Sequence, residues 1–451
     1  MIKTAFVIFV CKALSLVGRL VGKGSSLPGK ICLKLDPNIL KKIQLPSSII
    51  AVTGSNGKTS TVEMIAQVLK NSGKRIAYNK EGSNQIEGVT TFLLNDCTLS
   101  GRVKSEIVLL ESDERFARHT FRHFHPTHYV INNLYRDQMT RNGHTEWMYD
   151  IVKQSVYEDT HLILNADDPM VARFGMGRRN VTWFGVDRLP LSQEHNDSVY
   201  NDGAYCPECK YPLIYDYYHY NHIGSYHCPH CGLHREPTSY TVTQASQDEG
   251  YIVINGQYRI DLSFTGIYHF YNTLAAFSAC SELGIPAETI VSSLQNYTMK
   301  NGRIMAFRAG EHEGTLLTSK HENSVSYDQS IRVAVRDPRD CTVMIIVDAI
   351  SRKYFTSETS WLWDIDFELL GAEHIRKIIL AGTYANDLAV RFSYTTIPFD
   401  KIEVIEDMDQ AVEALKERSI GYVYGITCFS DKEKLLSRVE TVSLEKGGKE
   451  E

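Results

Sequence analysis

Short apolar runs alternate along this chain with longer segments of helical period. Predicted strands cover residues 49–52, 107–110, 128–131 and 162–165, and a helix is predicted over residues 60–69. Strands alternating with helices are typical of βαβ units, in which helices cover a parallel sheet. The pattern therefore predicts an α/β fold with a doubly wound, mostly parallel sheet.

The pattern is interrupted once and then resumes. Residues 196–240 are rich in tyrosine, histidine and paired cysteines, and we interpret them as an insertion. A strand over 252–254 and helices over 271–283 and 287–296 follow. Beyond Phe307 a second, Rossmann-like α/β unit is predicted. Its strands cover 343–347, 377–381, 402–405 and 422–426, and its helix over 408–418 has Asp407 as N-cap.

The beginning of the chain has apolar residues at helical spacing: Phe6, Phe9, Val10, Leu14, Val17 and Leu20. The favoured interpretation is an amphipathic helix packed on the body of the protein, with peripheral membrane contact as the alternative. A cleaved signal peptide is disfavoured, because Lys12 and Arg19 interrupt the apolar stretch and no small-residue cleavage site follows. We predict a lead-in over 1–45, a central domain over 46–308 with an insertion at about 200–240, and a C-terminal domain over 309–451.

Composition supports a globular protein of two or three domains. The 451 residues are 43% hydrophobic and 23% charged, and the net charge of −6 gives no general attraction to nucleic acid. Six of the ten cysteines are scattered singly, so a disulfide framework is not indicated. A reducing cytoplasm fits this usage.

The segment 53–59, Thr-Gly-Ser-Asn-Gly-Lys-Thr, lies between a predicted strand and a predicted helix. Backbone N–H groups of such a turn bind phosphate oxygens, and the helix dipole favours the same anion. Lys58 is expected at the β- and γ-phosphates and the Thr59 hydroxyl on Mg²⁺. The loop is not a strict Walker A sequence, because Val52 stands five residues before Gly57. The candidate nucleotide-binding residues are Thr53, Gly54, Asn56, Gly57, Lys58, Thr59 and Ser60.

Carboxylates follow the strand at 107–110. Glu111, Asp113 and Glu114 stand where doubly wound folds place ligands, and one of them is a candidate for holding Mg²⁺. The alternative is an acidic cap at a helix N-terminus. Polar turns at 133–138 and 165–169 follow the next two strands, and their repeated position suggests a shared site.

Two Cys-x-x-Cys pairs, eighteen residues apart, form the strongest metal signal. This is the zinc-ribbon pattern, in which four thiolates close a tetrahedral and therefore structural Zn²⁺ site. A redox disulfide is disfavoured by the paired spacing. Nearby histidines, His219, His222, His227 and His230, are interpreted as surface groups or as groups outside the ligand set. The predicted ligands are Cys206, Cys209, Cys228 and Cys231.

With these motifs in place, the chain resembles the Mur ligase family, and within it the branch that carries a four-cysteine insertion. The resemblance covers nearly the whole chain. Its further markers are segments 27–29, 81–84, 135–138, 165–169, 271–276, 301–303 and 360–368. Alone, Asn272 or Arg303 would be a cap or a surface charge. By the resemblance, Asn272 touches the nucleotide, Arg303 touches the phosphates, and Glu111 with Thr59 holds Mg²⁺.

The resemblance implies an ATP-dependent ligase. ATP would phosphorylate the α-carboxyl of D-glutamate in the lipid II stem peptide, and ammonia would displace the phosphate. A GatD-like glutaminase would supply that ammonia as the other subunit of a heterodimer, since Cys97 and Cys428 show no nucleophile context. The resemblance implies a cytoplasmic location.

Two stretches depart from the family pattern. Residues 320–324 are Lys-His-Glu-Asn-Ser instead of Lys-Asn-Pro-Ala-Gly, and the block 350–358 is also altered. The family aspartate that completes the glutaminase triad across the subunit interface is replaced by Glu358. Its extra methylene moves the carboxylate by ~1 Å, which is costly for catalysis. Glu358 is therefore a candidate catalytic residue whose role is open.

Three alternatives remain. A stand-alone amino-acid ligase is disfavoured by the insertion and by the short segment before residue 46. A nucleic-acid-binding zinc-ribbon protein would need a basic patch with interleaved aromatic residues. A paralogue or scaffold subunit with an altered acceptor is suggested by the changed block.

Overall fold

The computed structural model describes residues 2–20, 26–79, 84–137, 144–263, 266–295, 297–298, 304–348 and 358–442. The chain forms two compact units. The first unit comprises Met1–Tyr135, His144–Asn196 and Asn201–Met299. The second unit comprises Arg136–Gly143, Asp197–Tyr200 and Lys300–Glu451.

The first unit is built on a nine-stranded sheet with the order β11-β10-β9-β6-β5-β4-β1-β3-β2. Neighbouring strands from β2 to β9 along this order run parallel, and β10 and β11 continue the sheet antiparallel. A separate two-stranded antiparallel hairpin, β7–β8, belongs to the insertion. The prediction of a mostly parallel sheet is confirmed. The strands are β1 Ser48–Thr53, β2 Ile76–Tyr78, β3 Ile107–Glu111, β4 His128–Ile131, β5 His161–Asn165, β6 Val181–Val186, β7 Ile214–Tyr220, β8 Ile223–His227, β9 Tyr240–Ser246, β10 Tyr251–Ile254 and β11 Tyr258–Asp261.

Helices cover this sheet, and its central strands are buried along their length. In β1 the five residues after Ser48 are all buried, as expected for a parallel strand enclosed on both faces. The described helices of this unit are Ile2–Leu20, Leu27–Leu35, Ile39–Lys42, Lys58–Asn71, Ile86–Asp96, Ala117–Phe121, Thr145–Lys153, Pro169–Ala172, Ile267–Glu282 and Ala287–Gln295.

One helix boundary was wrong. The helix predicted from residue 271 begins at Ile267, one turn earlier. Nearly every side chain from Ile267 to Cys280 is buried, so the sequence shows no polar face by which the first turn could be recognised.

The second unit has a seven-stranded sheet with the order β16-β15-β14-β17-β13-β12-β18. The strands from β16 to β13 run parallel, and β12 and β18 are antiparallel at one edge. The first strand of this sheet, β12, begins at Ile304, slightly before the position predicted for the second α/β unit. Its strands are β12 Ile304–Ala309, β13 His312–Ser319, β14 Cys341–Ile346, β15 Ile375–Ala381, β16 Ile402–Ile405, β17 Tyr422–Cys428 and β18 Glu440–Val442.

The described α-helices of the second unit pack on both faces of this sheet. Asp407 caps one of them as predicted, because its side chain accepts hydrogen bonds from the backbone N–H groups of Asp409 and Gln410 at 3.0 and 2.9 Å. The α-helices are Ser324–Arg336, Ala385–Phe392, Met408–Arg418 and Lys432–Leu436, and the 3₁₀ helices are Ser360–Asp364, Phe367–Gly371 and Phe399–Lys401.

Candidate functional site

The loop between β1 and the helix Lys58–Asn71 is held by the segment that follows β4. The backbone N–H of Ser55 donates to the Asn133 carbonyl oxygen at 3.0 Å. The backbone N–H of Asn56 donates to Asn133 Oδ1 at 2.9 Å. Thr53 is fully buried, and its hydroxyl donates to the Ser112 carbonyl oxygen at 3.0 Å. The loop conformation is therefore fixed by neighbouring strand ends.

Position 57 requires glycine because of its backbone conformation and because of its close packing against Asn272. Its φ of +84° lies in the left-handed region, and a Cβ built there would stand 2.0 Å from Asn272 Oδ1. Asn272 comes from the helix Ile267–Glu282, so this helix carries an amide side chain to the end of the loop. The structure thus brings the predicted Asn272 to the predicted phosphate loop.

Lys58 lies over the loop that precedes it. Its ammonium group donates to the Gly54 carbonyl oxygen and stands 2.5 Å from Glu114 Oε1. Both side chains are largely shielded from solvent. A cation next to the first turn of a helix is the electrostatic arrangement expected for binding phosphate.

Thr59 and Glu111 form the oxygen pair expected for a magnesium site. The Thr59 hydroxyl donates to Glu111 Oε2 at 3.0 Å. Glu111 is positioned by Asn79, whose side chain accepts from the Glu111 N–H at 2.8 Å and donates to its carbonyl oxygen at 3.1 Å. A hydroxyl and a carboxylate side by side match the oxygen ligands that Mg²⁺ prefers, so these residues fit the ion.

The acidic turn after β5 has a structural role instead of joining this site. Asp168 accepts hydrogen bonds from the backbone N–H groups of Leu134 and Met170 at 2.7 and 2.8 Å. Asp167 accepts from Arg235 Nε at 2.5 Å and from the Tyr271 hydroxyl at 2.6 Å. Both carboxylates are fully buried, so each is compensated by these donors. The expectation of a shared site at this turn is not supported for Asp167 and Asp168.

The four predicted zinc ligands converge. Their sulfur atoms all lie within 4.8 Å of one another. The backbone makes the same turn at each pair, because the Cys206 N–H donates to the Tyr211 carbonyl oxygen and the Cys228 N–H donates to that of Leu233. Four sulfurs at these distances suit tetrahedral Zn²⁺ coordination. The converging residues are Cys206, Cys209, Cys228 and Cys231.

The pKa values of the thiols differ between the two Cys-x-x-Cys pairs. Desolvation raises the pKa of Cys228, but backbone N–H groups of Cys231 and His230 outweigh it and lower the value to about 6. Desolvation raises the pKa of Cys206 to about 12. One sulfur is therefore readily a thiolate, the form that binds metal.

Two histidines of the insertion are buried and lie outside the four-sulfur cluster, which is one of the two expected positions. His222 is fully buried, and its Nε2 stands 3.5 Å from Asp168 Oδ1. Burial lowers the pKa of His222, but the hydrogen bond and charge of Asp168 outweigh it, and the pKa is raised. His219 stands with Nε2 3.0 Å from the Val186 carbonyl oxygen, and burial lowers its pKa. Both side chains fix the insertion to the sheet.

In the second unit Glu358 is exposed and engaged locally. Its carboxylate accepts a hydrogen bond from the Ser360 backbone N–H at 2.7 Å. The Ser360 hydroxyl and N–H lower the pKa of Glu358, so it is ionised at neutral pH. The predicted Arg303 and the altered residues 350–357 lie outside the described residues.

The stretch after β13 that departs from the family pattern contacts Asp137. The Asp137 carboxylate pairs with the Lys320 ammonium group and accepts from Asn323 Nδ2 at 2.7 Å. Asn323 also caps the helix Ser324–Arg336, since its Oδ1 accepts from the Ser326 N–H at 2.7 Å. Lys320 and Asn323 of this stretch therefore compensate a buried carboxylate.

A cysteine–histidine pair was missed by the sequence analysis. Cys428 Sγ stands 3.4 Å from His321 Nε2 and 3.2 Å from the Ser430 hydroxyl. The two residues are 107 positions apart and meet because Ser319 and Cys428 are paired at the ends of β13 and β17. Burial, with Asp431 nearby, raises the pKa of Cys428 to about 12. The thiol is therefore protonated at neutral pH and is not an activated nucleophile.

The strand, the glycine-containing loop and the Lys-Thr helix start define a P-loop nucleotide-binding domain. The chain matches the family models "Mur ligase middle domain" over residues 52–201 and "MurT ligase C-terminal" over residues 321–430. It is 31% identical over 406 residues to the lipid II isoglutaminyl synthase (glutamine-hydrolysing) subunit MurT of Staphylococcus aureus strain COL, covering 89% of this chain and 90% of that protein. The chain therefore belongs to the MurT family of Mur ligases.

Solved structures agree on the fold. The pseudomurein peptide ligase type C from Methanothermus fervidus has a TM-score of 0.69 at 19% identity, over 89% of this chain and 80% of that one. The MurF ligase of Thermotoga maritima, solved in complex with ADP, has a TM-score of 0.59 at 17% identity, over 91% and 83%. The Mur-ligase-like α/β fold predicted from the sequence is confirmed.

Proposed function

We propose that this chain is the synthetase subunit of a glutamine-dependent amidotransferase that converts the α-carboxyl of D-glutamate in the lipid II stem peptide to an amide. The observation that carries the proposal is the group formed by Lys58, Thr59 and Glu111 at the loop, in a chain of the MurT family. It is a carbon–nitrogen ligase that uses ATP. Its ATP-binding domain, predicted over residues 46–308, corresponds to the first unit, and its C-terminal domain, predicted over residues 309–451, includes the whole of β12 from Ile304.

The reaction has two steps. A carboxylate oxygen of the acceptor attacks the γ-phosphorus of ATP, and the bond to the β-phosphate oxygen breaks, which gives an acyl phosphate and ADP. The ammonia nitrogen then attacks the acyl carbon, phosphate leaves with the bonding electron pair, and a proton passes to solvent. The first step is needed because a carboxylate has no good leaving group until it carries phosphate.

The residues of the loop divide this work. Lys58 leaves Glu114 and binds the β- and γ-phosphates, where it neutralises charge that develops during transfer. Backbone N–H groups from Gly54 to Ser60 bind phosphate oxygens. Asn272 would contact the phosphates and not the adenine ring, because its Oδ1 occupies the position that a Cβ of Gly57 would take. The assignment of Arg303 to the phosphates rests on the family resemblance.

Thr59 and Glu111 would hold Mg²⁺, since their oxygen atoms already lie 3.0 Å apart. Bound there, the ion would supply Lewis-acid stabilisation of the transferring phosphoryl group. Cys206, Cys209, Cys228 and Cys231 would hold a structural Zn²⁺ that stabilises the insertion.

Ammonia comes from a GatD-like glutaminase subunit that forms a heterodimer with this chain. Glu358 is ionised and exposed, as a carboxylate must be to orient a histidine on a partner. Cys428, which contacts His321, is buried, and burial raises its pKa to about 12, so this pair does not provide a thiolate for glutamine hydrolysis. This observation supports an external source of ammonia. The protein works in the cytoplasm, at the inner face of the membrane that carries lipid II. No helix among the described residues is long and apolar enough to cross a bilayer.

Co-expression with a candidate glutaminase tests the proposal. Purified complexes are given ATP and a lipid II analogue, with either glutamine or an ammonium salt as nitrogen donor, and amide formation is measured by mass spectrometry. Lys58→Ala is expected to be inactive with both donors, because phosphoryl transfer fails. Glu358→Ala is expected to lose activity with glutamine and to keep it with ammonium.

Two results would contradict parts of the proposal. Full glutamine-dependent activity of Glu358→Ala would remove the role of Glu358 in the partner's triad. Glutamine hydrolysis by the purified chain alone would remove the need for a partner. Cys428→Ser is the matched control, because a buried protonated thiol is expected to be dispensable for both donors.

A further inference from the structure

The helix Ile2–Leu20 has an apolar stripe on its outer face. Five apolar side chains on this helix are more than half exposed, and their spacing of three, four and seven residues places them along one side. An exposed stripe of this length is unusual for a surface helix, whose outer face is normally polar. These side chains are Ile2, Phe6, Phe9, Leu16 and Val17.

The inner face of the same helix is firmly docked, so the stripe is not an unpacked core face. Val7, Ile8 and Cys11 are fully buried in the hydrophobic core of the first unit. Lys12 Nζ donates to the Asn95 carbonyl oxygen at 2.7 Å, and Asn95 Nδ2 donates to the Ser15 hydroxyl at 2.9 Å. These bonds to the helix Ile86–Asp96 fix which face points outward.

The next helix is also closely docked. A Cβ at Gly29 would lie 1.9 Å from the Glu87 carbonyl oxygen, and the Gly29 N–H donates to the Thr91 hydroxyl at 2.9 Å. Its exposed side chains are a mixture of leucine and lysine: Leu27, Lys30, Lys34 and Leu35.

The charge of this region is opposite to that of the rest of the chain. Residues 1–45 contain eight Lys or Arg and a single acidic residue, Asp36, which gives a net charge of +7. Since the whole chain carries −6, the remaining residues carry −13. Lys42 neutralises Asp36 at 2.5 Å, so no acidic group in the segment offsets the exposed lysines.

Apolar side chains flanked by lysines on a docked helix match the surface of an anionic bilayer. We propose that this N-terminal surface, formed by Ile2, Phe6, Phe9, Leu16 and Val17 with Lys3, Lys30 and Lys34, binds anionic phospholipid membranes, with the helix Ile2–Leu20 lying in the membrane interface. Self-association through the same surface is disfavoured, because it would bring two segments of +7 together. The proposal deepens the proposed function, because it holds the enzyme at the bilayer that contains a lipid-linked acceptor.

Vesicle flotation, carried out without ATP or acceptor, tests whether the N-terminal surface binds membranes. The full chain is mixed with vesicles of phosphatidylglycerol and phosphatidylcholine, or of phosphatidylcholine alone. Wild type is expected to float with the anionic vesicles and to bind roughly tenfold more weakly to neutral vesicles or at high salt. Phe6→Ser/Phe9→Ser is expected to lose binding by roughly tenfold or more, because two apolar anchors are removed.

The matched control is Phe399→Ser, which replaces an exposed phenylalanine of the second unit and is expected to float like wild type. Circular dichroism checks that the double variant is folded. Absence of wild-type binding to anionic vesicles, or equal binding by the double variant, would overturn the proposal. A wild-type dimer in light scattering that becomes monomeric in the double variant would also overturn it, since the stripe would then join two copies.

A second assay separates this proposal from the proposed function. Phe6→Ser/Phe9→Ser is expected to amidate a water-soluble acceptor with ammonium at the wild-type rate, since neither residue touches the loop. If neither wild type nor the double variant amidates the acceptor, the proposed function fails. If wild type still floats with anionic vesicles in that case, the membrane-binding surface stands.

Discussion

At the scale of single residues, the phosphate loop depends most on Gly57. Backbone conformation and packing both exclude a side chain there, because φ is +84° and Asn272 Oδ1 occupies the place of a Cβ. The left-handed conformation alone costs an alanine about 1–2 kcal/mol, and the contact adds displacement of Asn272. The atoms that fix the local geometry are therefore among those that we propose bind the nucleotide.

Gly57→Ala is therefore expected to weaken ATP binding by at least about tenfold, measured by isothermal titration calorimetry. Gly73→Ala is the matched control, because Gly73 has a similar φ of +77° but no atom within 4 Å of the position of its Cβ. It is expected to cost some stability and to bind ATP normally. Equal ATP affinity of wild type and Gly57→Ala would show that the loop does not bind the nucleotide in this conformation.

His269 gives the protein an acid-sensitive position. Desolvation lowers its pKa from 6.5 to about 4, so the unfolded chain binds the proton more readily between these values. Stability is therefore fully present above about pH 6.5 and falls as the pH drops toward 4, by about 2 kcal/mol between pH 7 and pH 5.

His269→Phe removes this titration and is expected to flatten the pH dependence of stability over that interval. Thermal unfolding of wild type and variant at pH 7, 6 and 5 provides the measurement. The melting temperature of wild type should fall more than that of the variant as the pH falls. A constant difference between the two proteins would mean that the imidazole is not held neutral in the folded state.

At the scale of elements, a feature could be predicted from the sequence when the residues that form it are close together in the chain. The Cys-x-x-Cys pairs and the loop at 53–59 each occupy a few consecutive residues, and the structure brings their members together. Asp407 was identifiable for the same reason, since a cap bonds two or three residues ahead. By contrast, Cys428 and His321 meet only through the pairing of β13 with β17, which no local pattern reveals.

Features that depend on burial in the tertiary structure could not be predicted from the sequence either. The start of the helix Ile267–Glu282 lacks a polar face, and the buried positions of His219 and His222 depend on the tertiary partners Val186 and Asp168. The turn at 165–169 shows the same limit. Its carboxylates accept hydrogen bonds from Leu134 and Arg235, which are distant in sequence.

The four-cysteine insertion is expected to need its metal. Cys206→Ser removes one sulfur from the cluster, so the purified variant should lose zinc and have a lower melting temperature, because metal binding contributes to the folding of such modules. His230→Ala is the control, since this exposed histidine lies within the second pair but outside the sulfur cluster. Elemental analysis that finds equal zinc in wild type and Cys206→Ser would contradict the assignment.

At the scale of the whole molecule, family membership, the P-loop geometry and the protonated Cys428 support one division of labour. In the proposed division, this chain activates a carboxylate with ATP, and we expect another subunit to release ammonia. Charge is unevenly distributed along the chain. Residues 1–45 have a net charge of +7, whereas the whole chain has a net charge of −6. The ATP-binding part could be predicted from local motifs, whereas the role that we propose for Glu358 depends on a partner chain, which the sequence of this chain does not describe.

The central claim is that this chain alone activates a carboxylate as an acyl phosphate. The most direct test supplies the purified chain with ATP, Mg²⁺, a lipid II analogue and an ammonium salt, without a glutaminase. ADP, phosphate and amide are then quantified together. The account predicts that the three products form in equal amounts and that Lys58→Ala forms none of them. Release of AMP and pyrophosphate, or ATP consumption by wild type without any amide, would contradict it.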